Sequence, residues 1–139
     1  MKRVIPILVG LLVVCAGMLS FGCKKKGSRL DRAFHHTADH AHAQVQDTKV
    51  WIAEALKKQE LQYIHDNIYR FESQLNAFSD LLDEATRQRL DERIKELEII
   101  AQAIDNSAGR KNQAGTEANV KQLIDALKRL ETEYKQGAK

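Results

Sequence analysis

The sequence predicts an all-α protein, namely an up-down-up-down four-helix bundle that follows an N-terminal signal or anchor segment. Apolar residues recur at alternating spacings of three and four through four segments, which is the period of an amphipathic helix. No segment shows the alternation of a strand. Most connections between the segments are short, so consecutive helices should run antiparallel. With 139 residues and 43% apolar side chains, the chain can form one small domain.

The chain begins like an exported protein. Met1, Lys2 and Arg3 precede an apolar run from Val4 to Gly22, and a cysteine follows. The stretch Leu19-Ser20-Phe21-Gly22-Cys23 resembles the lipobox of bacterial lipoproteins, although that family usually has Leu at the place of Ser20 and a small residue at that of Phe21. The resemblance implies a signal peptide at 1–22, a lipidated Cys23 and a basic spacer within 23–29.

An uncleaved membrane anchor is the alternative interpretation of this leader. The run from Val4 to Gly22 is close to the ~20 apolar residues that cross a bilayer. The Gly22–Cys23 junction favours the lipoprotein. Lys24 follows the cysteine, where enterobacterial lipoproteins retained in the inner membrane have Asp. We therefore expect attachment to a membrane facing the periplasm, and to the outer membrane in a host with two.

The first two helices of the predicted bundle, which spans 30–136, cover about 30–57 and 60–83. Ser28 and Asp31 have the spacing of a capping box for the first helix. Its apolar stripe comprises Phe34, Ala38, Ala41, Val45, Thr48, Ile52 and Ala55. The second helix has the strongest stripe, comprising Leu61, Ile64, Ile68, Phe71, Leu75, Phe78 and Leu82. No Gly or Pro marks a turn within 57–60, so one continuous helix is the alternative.

The third and fourth helices are predicted at about 87–106 and 116–135. Thr86 and Thr116 are the expected caps. The segment from Asp105 to Gly115 is rich in turn formers and has no apolar period, which predicts a loop. The two apolar stripes comprise Leu90, Ile94, Leu97, Ala101 and Ile104, and then Val120, Leu123, Leu127, Leu130 and Tyr134.

The charge distribution argues against nucleic-acid binding. Seven of the 22 basic residues lie at or before Arg32, which leaves 15 basic against 18 of the 19 acidic residues in the remainder. A mildly acidic body lacks the clustered positive charge that displaces counterions from phosphate. The basic residues that follow Cys23 form a solvated spacer or contact anionic lipid.

From Trp51 to Tyr134 the layout resembles the small exported four-helix bundles of the cytochrome b562 type. The resemblance lies in length, leader and helix pattern, and it implies haem held by a Met of the first helix and a His of the last. Here Met occurs only at positions 1 and 18, and no His follows His65. The Cys-x-x-Cys-His attachment motif is also missing, so we do not expect haem.

A histidine cluster is the main compositional anomaly of the body. His35, His36, His40 and His42 fall within eight residues. His36 and His40 lie one helical turn apart on the expected solvent face, where two imidazoles suit Zn, Cu, Ni or Co. His35, Asp39 and His42 lie on a flank and could add ligands. The pattern also fits a polar, pH-sensitive helix start, which we favour because one helical face provides few ligands.

The remaining side chains indicate no catalytic chemistry. His65 resembles a boundary histidine with a hydrogen-bonded partner, and Trp51 and Tyr63 resemble packing residues with a polar edge. We find no nucleophile with a convincing base, no phosphate-binding Gly loop and no Cys cluster. We therefore expect a non-enzymatic, membrane-anchored envelope binding or scaffold protein that contacts another protein or carries a small ligand, with divalent metal binding as the alternative. Coiled-coil spacing leaves oligomerisation open.

Overall fold

The computed structural model describes residues 38–137, which form four α-helices and no strand. Within this part α1 occupies 38–57, α2 is Leu61–Leu81, α3 is Glu84–Gly109 and α4 is Gln113–Gly137. The predicted fold class is confirmed. The predicted leader, the candidate lipidation site Cys23, the spacer and the Ser28–Asp31 capping box lie outside the described residues. None of the described helices is both long and apolar enough to traverse a bilayer.

The core is centred on the apolar stripe of α2. Ile64, Phe71, Leu75 and Phe78 are completely inaccessible to solvent, and Ile68 is nearly so. The described parts of the other three helices contribute most of the apolar residues predicted for them, so the core is continuous along the bundle. Phe34 of the first predicted stripe lies outside the described residues. The members of the core outside α2 include Val45, Ile52, Leu90, Leu97, Ile104, Leu123, Leu127 and Leu130. Burial at ~25 cal/mol per Å² of apolar surface is the main stabilising contribution.

The first helix closes the bundle by packing against both α2 and α4. The rings of Trp51 and Tyr63 meet across α1 and α2. On the other side, Gln46 Nε2 donates to the carbonyl oxygen of Leu127 at 3.1 Å. This arrangement places the start of the described part of α1 at the same end of the bundle as the α2–α3 turn and the end of α4.

The turn between α1 and α2 forms without glycine. Gln59 adopts a left-handed conformation with φ of 58°. The amide of Glu60 donates to the Ala55 carbonyl at 2.9 Å, and that of Gln59 to the Leu56 carbonyl at 3.0 Å. These two bonds are the pair that defines a Schellman motif. The helix therefore ends here, and the alternative of one continuous helix is wrong.

The third helix begins earlier than predicted because Asp83 is its cap. Asp83 Oδ1 accepts from the Thr86 amide at 2.8 Å, and Oδ2 accepts from the Thr86 hydroxyl at 2.8 Å. These bonds hold the pKa of Asp83 below its usual value. Thr86 thus lies inside the first turn, and its assignment as the cap is wrong. Arg87 Nε donates to the Ser79 carbonyl at 3.1 Å and joins this turn to α2.

The predicted loop from Asp105 to Gly115 is also wrong. Helix α3 continues to Gly109 because Ile104 and Ala108 extend its buried face. A second Schellman pair, with left-handed Lys111, ends it, and α4 follows at Gln113. The polar residues of this segment lie on outward or interhelical positions, so their turn propensity does not decide the structure.

Thr116 is a buried interhelical residue and not the cap of α4. Its hydroxyl lies 2.8 Å from the Asn112 carbonyl and 3.1 Å from Ser107 Oγ. Asn112 instead provides the capping oxygen, since its Oδ1 accepts from the Gly115 amide at 3.0 Å. The helix therefore begins one turn earlier than its apolar stripe indicates.

Leu75→Ala should lower the free energy of unfolding by about 2–5 kcal/mol, because Leu75 is fully buried in the centre of the core. The matched control is Ile99→Ala, since Ile99 is 68% exposed. That change should shift stability by no more than ~0.5 kcal/mol. Urea denaturation followed by circular dichroism measures both, and equal losses would contradict the packing described.

Candidate functional site

The histidine cluster is divided by the structure. His35 and His36 lie outside the described residues, so their pairing with His40 remains a prediction. His40 is exposed, and its Nε2 lies 3.3 Å from Gln44 Nε2. Asp39 is also exposed, but its Oδ1 accepts from the Tyr134 hydroxyl at 2.7 Å. Asp39 therefore joins α1 to α4 in addition to being a candidate ligand.

His42 packs inside the end of the bundle, whereas we expected it on a flank. Only 8% of the residue is exposed. Its ring stacks on Tyr134 with centroids 4.5 Å apart and lies 5.5 Å from the ring of Phe78. Because the helix turns this position towards α2 and α4, His42 contributes to packing.

Burial lowers the pKa of His42, because the charged imidazolium loses solvation. Four charged side chains modify this effect. The carboxylates of Glu131 and Asp39 raise the pKa, and the ammonium groups of Lys135 and Lys49 lower it, with Glu131 the strongest of the four. The net shift is downward, so the neutral form is favoured in the folded state.

The predicted metal site is incomplete in the part of the chain that the structure describes. Residues 38–137 contain no group of three or more His, Cys, Asp or Glu side chains placed to hold one ion. Asp39 and His40 are accessible, whereas the His42 ring is covered. A metal bound here would need His36 or His35.

His65 forms a contact between α2 and α3. Its Nδ1 lies 2.8 Å from Asp105 Oδ1, within ion-pair distance. Nδ1 is inaccessible to solvent, and no hydrogen bond of acceptable geometry reaches it from the described residues. The ring lies against Gly109, where an added Cβ would approach Nδ1 and Cε1 to 3.2 Å. A side chain at position 109 would therefore require a small shift of the His65 ring.

A second candidate site lies on the outward side of α2 and its boundary with α1. We call it the aromatic–arginine surface, and it comprises Trp51, Tyr63, Tyr69 and Arg70. Tyr63 is 47% exposed and Tyr69 56%. Trp51 packs partly against the core, and its ring meets that of Tyr63 edge-on, with centroids 6.1 Å apart and an interplanar angle of 80°.

The prediction that Trp51 and Tyr63 are packing residues with a polar edge agrees with the contacts that both make, since Trp51 packs against the core and Tyr63 against the Trp51 ring. Trp51 packs against the hydrophobic core, whereas almost half of Tyr63 faces solvent. Tyr63 lies at the outer edge of α2, where it meets Trp51 but is not covered by it.

Arg70 lies two turns after Tyr63 on the same side of α2, and it is exposed. Hydrogen bonding to the Tyr69 side chain raises the pKa of Arg70, and the Tyr63 phenol adds a smaller electrostatic contribution. Sequence periodicity did not reveal this surface, because its members lie off the apolar stripe. The only sequence signal was the presence of two tyrosines and an arginine on one outward face.

A scan against protein-family models found no match to the chain, and searches of the curated proteins and of the solved structures found none either. The comparisons therefore provide no support for kinship with the cytochrome b562 family. The four-helix bundle is established by the structure alone.

The buried position of His42 predicts a pH-dependent stability. Its pKa is depressed in the folded state relative to ~6.5 in an unfolded chain. The unfolded chain therefore takes up the proton first, and stability that is present in full above pH ~6.5 should fall as the pH drops through the folded pKa. Urea denaturation at pH 7.5 and 5.0 should show a larger loss for the wild type than for His42→Leu.

His40→Gln is the matched control for this comparison, because His40 is exposed on the same helix. It should retain the pH dependence of the wild type. An equal loss on acidification in the wild type and His42→Leu would show that His42 titration is not linked to folding.

Proposed function

We propose that this chain is a lipid-anchored, non-catalytic binding module of the bacterial cell envelope, which contacts a protein partner through α2. The observation that carries the proposal is the composition of the exposed side of that helix. It presents Tyr63, Tyr69 and Arg70, and α2 contains no lysine. Tyr, Trp and Arg are enriched in protein interfaces, where Lys and Glu are depleted.

The packing of the interior supports a surface function. The apolar stripes of all four helices are used in one continuous core, in which Phe71, Leu97 and Leu127 are fully buried. An occupant of the interior would have to displace such side chains. A partner on the surface requires no such change.

The anchoring part of the proposal rests on the sequence. The leader-like segment ends at Gly22–Cys23, which resembles a lipoprotein processing site. Burial of acyl chains contributes about 0.8 kcal/mol per methylene, so several chains on Cys23 would hold the domain at a membrane. The non-catalytic part likewise rests on the residue pattern, in which no nucleophile is paired with a convincing base.

Site-specific photo-crosslinking in a two-membrane bacterium tests the binding role. A benzophenone amino acid at position 69 on α2 should give an adduct with a protein in the membrane fraction. Matched exposed positions on α1, α3 and α4 are Asp47, Ile99 and Gln122. These should give none, and the absence of an adduct from all four would contradict a protein partner.

The anchor is tested in the same cells. Mass spectrometry should find an N-terminus that begins at acylated Cys23, and Cys23→Ser should leave the leader uncleaved and without acyl chains. An intact Met1 in the wild-type protein would contradict the lipoprotein assignment and favour the uncleaved anchor.

Divalent metal binding is the second candidate function. It is favoured by one observation: His40 is exposed, and among the described residues its ring has only a long contact of 3.3 Å, to Gln44. Together with His36, one turn earlier in the sequence, it would offer two imidazoles to a Zn, Cu, Ni or Co ion.

Calorimetric titration of the untagged full chain in detergent tests this candidate. A metal-binding role requires stoichiometric binding of Cu(II), Ni(II), Co(II) or Zn(II) at micromolar affinity, about −8 kcal/mol. His36→Ala with His40→Ala should remove most of it, and binding should weaken below pH ~6.5 because ligands must be neutral. The control His65→Ala should change nothing. Millimolar binding, or binding that survives the double change, would exclude the site.

A further inference from the structure

We propose that the aromatic–arginine surface recognises an acidic protein segment in which a carboxylate and an aliphatic side chain lie about three residues apart. This inference rests on the proposed binding role and specifies the chemistry of the partner. The carboxylate would pair with Arg70, and the aliphatic side chain would contact Trp51 and Tyr63.

The charge of Arg70 is the first reason. Of the six arginines in residues 38–137, four are engaged by acceptors of neighbouring helices or turns, namely Arg87, Arg89, Arg93 and Arg129. Arg93 shows the typical arrangement, with Nε 2.7 Å from a Glu133 carboxylate oxygen. Arg70 is exposed and makes no ion pair with any residue from 38 to 137. Its guanidinium is therefore available for a carboxylate, which it can bind bidentately.

Asp66 is the acidic residue of α2 best placed to compete for Arg70, since it lies one helical turn before it. Its Oδ1 accepts from Gln62 Nε2 at 2.9 Å, and neither carboxylate oxygen is within ion-pair distance of Arg70. The negative charge of Asp66 on the same helix surface opposes an incoming carboxylate and competes with it for Arg70. Removal of this charge should strengthen binding of an acidic ligand.

The geometry of the aromatic pair favours an aliphatic side chain over a sugar. A pyranose stacks on an open, flat ring face. Here Trp51 is partly buried, and its ring is nearly perpendicular to that of Tyr63, with an angle of 80°. The two rings form a corner and not a platform, and a branched aliphatic group fits such a corner. We therefore infer a protein partner and not a glycan.

The spacing of the two parts sets the length of the recognised segment. Tyr63 and Arg70 are separated by seven residues of helix, or about 10 Å along its axis. An extended chain advances ~3.3 Å per residue, so a carboxylate and an aliphatic group three residues apart span this distance.

Trp51 provides a direct readout, because it is the only tryptophan of the chain. The full chain, purified from membranes in mild detergent, is titrated with the peptide acetyl-Leu-Ser-Ser-Glu-Ser-Ser-Leu-amide, which presents Leu on either side of Glu. Saturable change in Trp51 emission with Kd of ~1 mM or tighter is expected. The peptide with Gln in place of Glu should bind at least ~10-fold more weakly.

Three variants test the assignment to Arg70. Arg70→Gln should abolish the difference between the Glu and Gln peptides, and Asp66→Asn should tighten binding of the Glu peptide ~2-fold or more. Arg110→Gln is the matched control, because Arg110 is an exposed arginine at the α3–α4 turn. It should leave both affinities unchanged. Circular dichroism establishes that each variant retains its helicity.

Four outcomes would overturn the inference. The first is equal binding of the Glu and Gln peptides, and the second is an Arg70→Gln variant that still prefers the Glu peptide. The third is a stronger change in Trp51 emission with a chitin oligosaccharide than with the Glu peptide. The fourth is a Trp51 emission that changes with protein concentration alone. The last would mean that this surface binds a second copy of the chain. If position 69 still crosslinks to an envelope protein, the proposed binding function is retained. Only the inference about the chemistry of the ligand is then rejected.

Discussion

Burial of the α2 stripe is the constraint on which the rest of the structure depends. Phe71, Leu75 and Phe78 are completely inaccessible to solvent, and they belong to one core with residues of α1, α3 and α4. The other three helices must therefore surround this side of α2. The buried faces of α3 and α4 are wider, since each includes a pair of adjacent buried residues, Ile100 with Ala101 and Ala126 with Leu127. All of these faces become buried together, which makes the bundle a single cooperative core.

The ends of the helices are decided by backbone hydrogen bonding more than by residue type. Both α1 and α3 end in Schellman motifs whose left-handed residue is not glycine, namely Gln59 and Lys111. A left-handed conformation costs roughly 1–2 kcal/mol for residues with a Cβ. This cost is offset because the turn is only three residues long, so the next helix begins at once and buries its apolar face in the core.

The two ends of the bundle and its outer side differ in chemical character. At one end, His42, Tyr134 and Phe78 form an aromatic cluster that fastens α1 to α2 and α4. On the α3–α4 side, arginines and glutamates neutralise one another, as Arg129 and Glu96 do at 2.5 Å. The outward side of α2 has neither arrangement, since its arginine is accompanied by tyrosines. This difference is the reason to seek the partner there.

The sequence by itself determined the fold class and the composition of the core. Val45, Phe71, Leu97 and Leu127 lie where three-four periodicity placed them, because this period depends only on helix geometry and on the exclusion of apolar surface from water. The lipoprotein leader stays a prediction from local composition, since it lies outside the described residues.

Only the tertiary structure decided where the helices end and which polar residues meet. Asp105–Gly109 remains helical because Ile104 and Ala108 are buried, and that burial outweighs the local turn preference. His42 was expected on a flank of α1 but is buried, because α4 places Tyr134, which is 92 residues later in the sequence, against its ring. The aromatic–arginine surface depends on the same kind of contact, since Trp51 and Tyr63 belong to different helices. Side chains that lie off the apolar stripe have no period in the sequence, and only the packing of helices determines their neighbours.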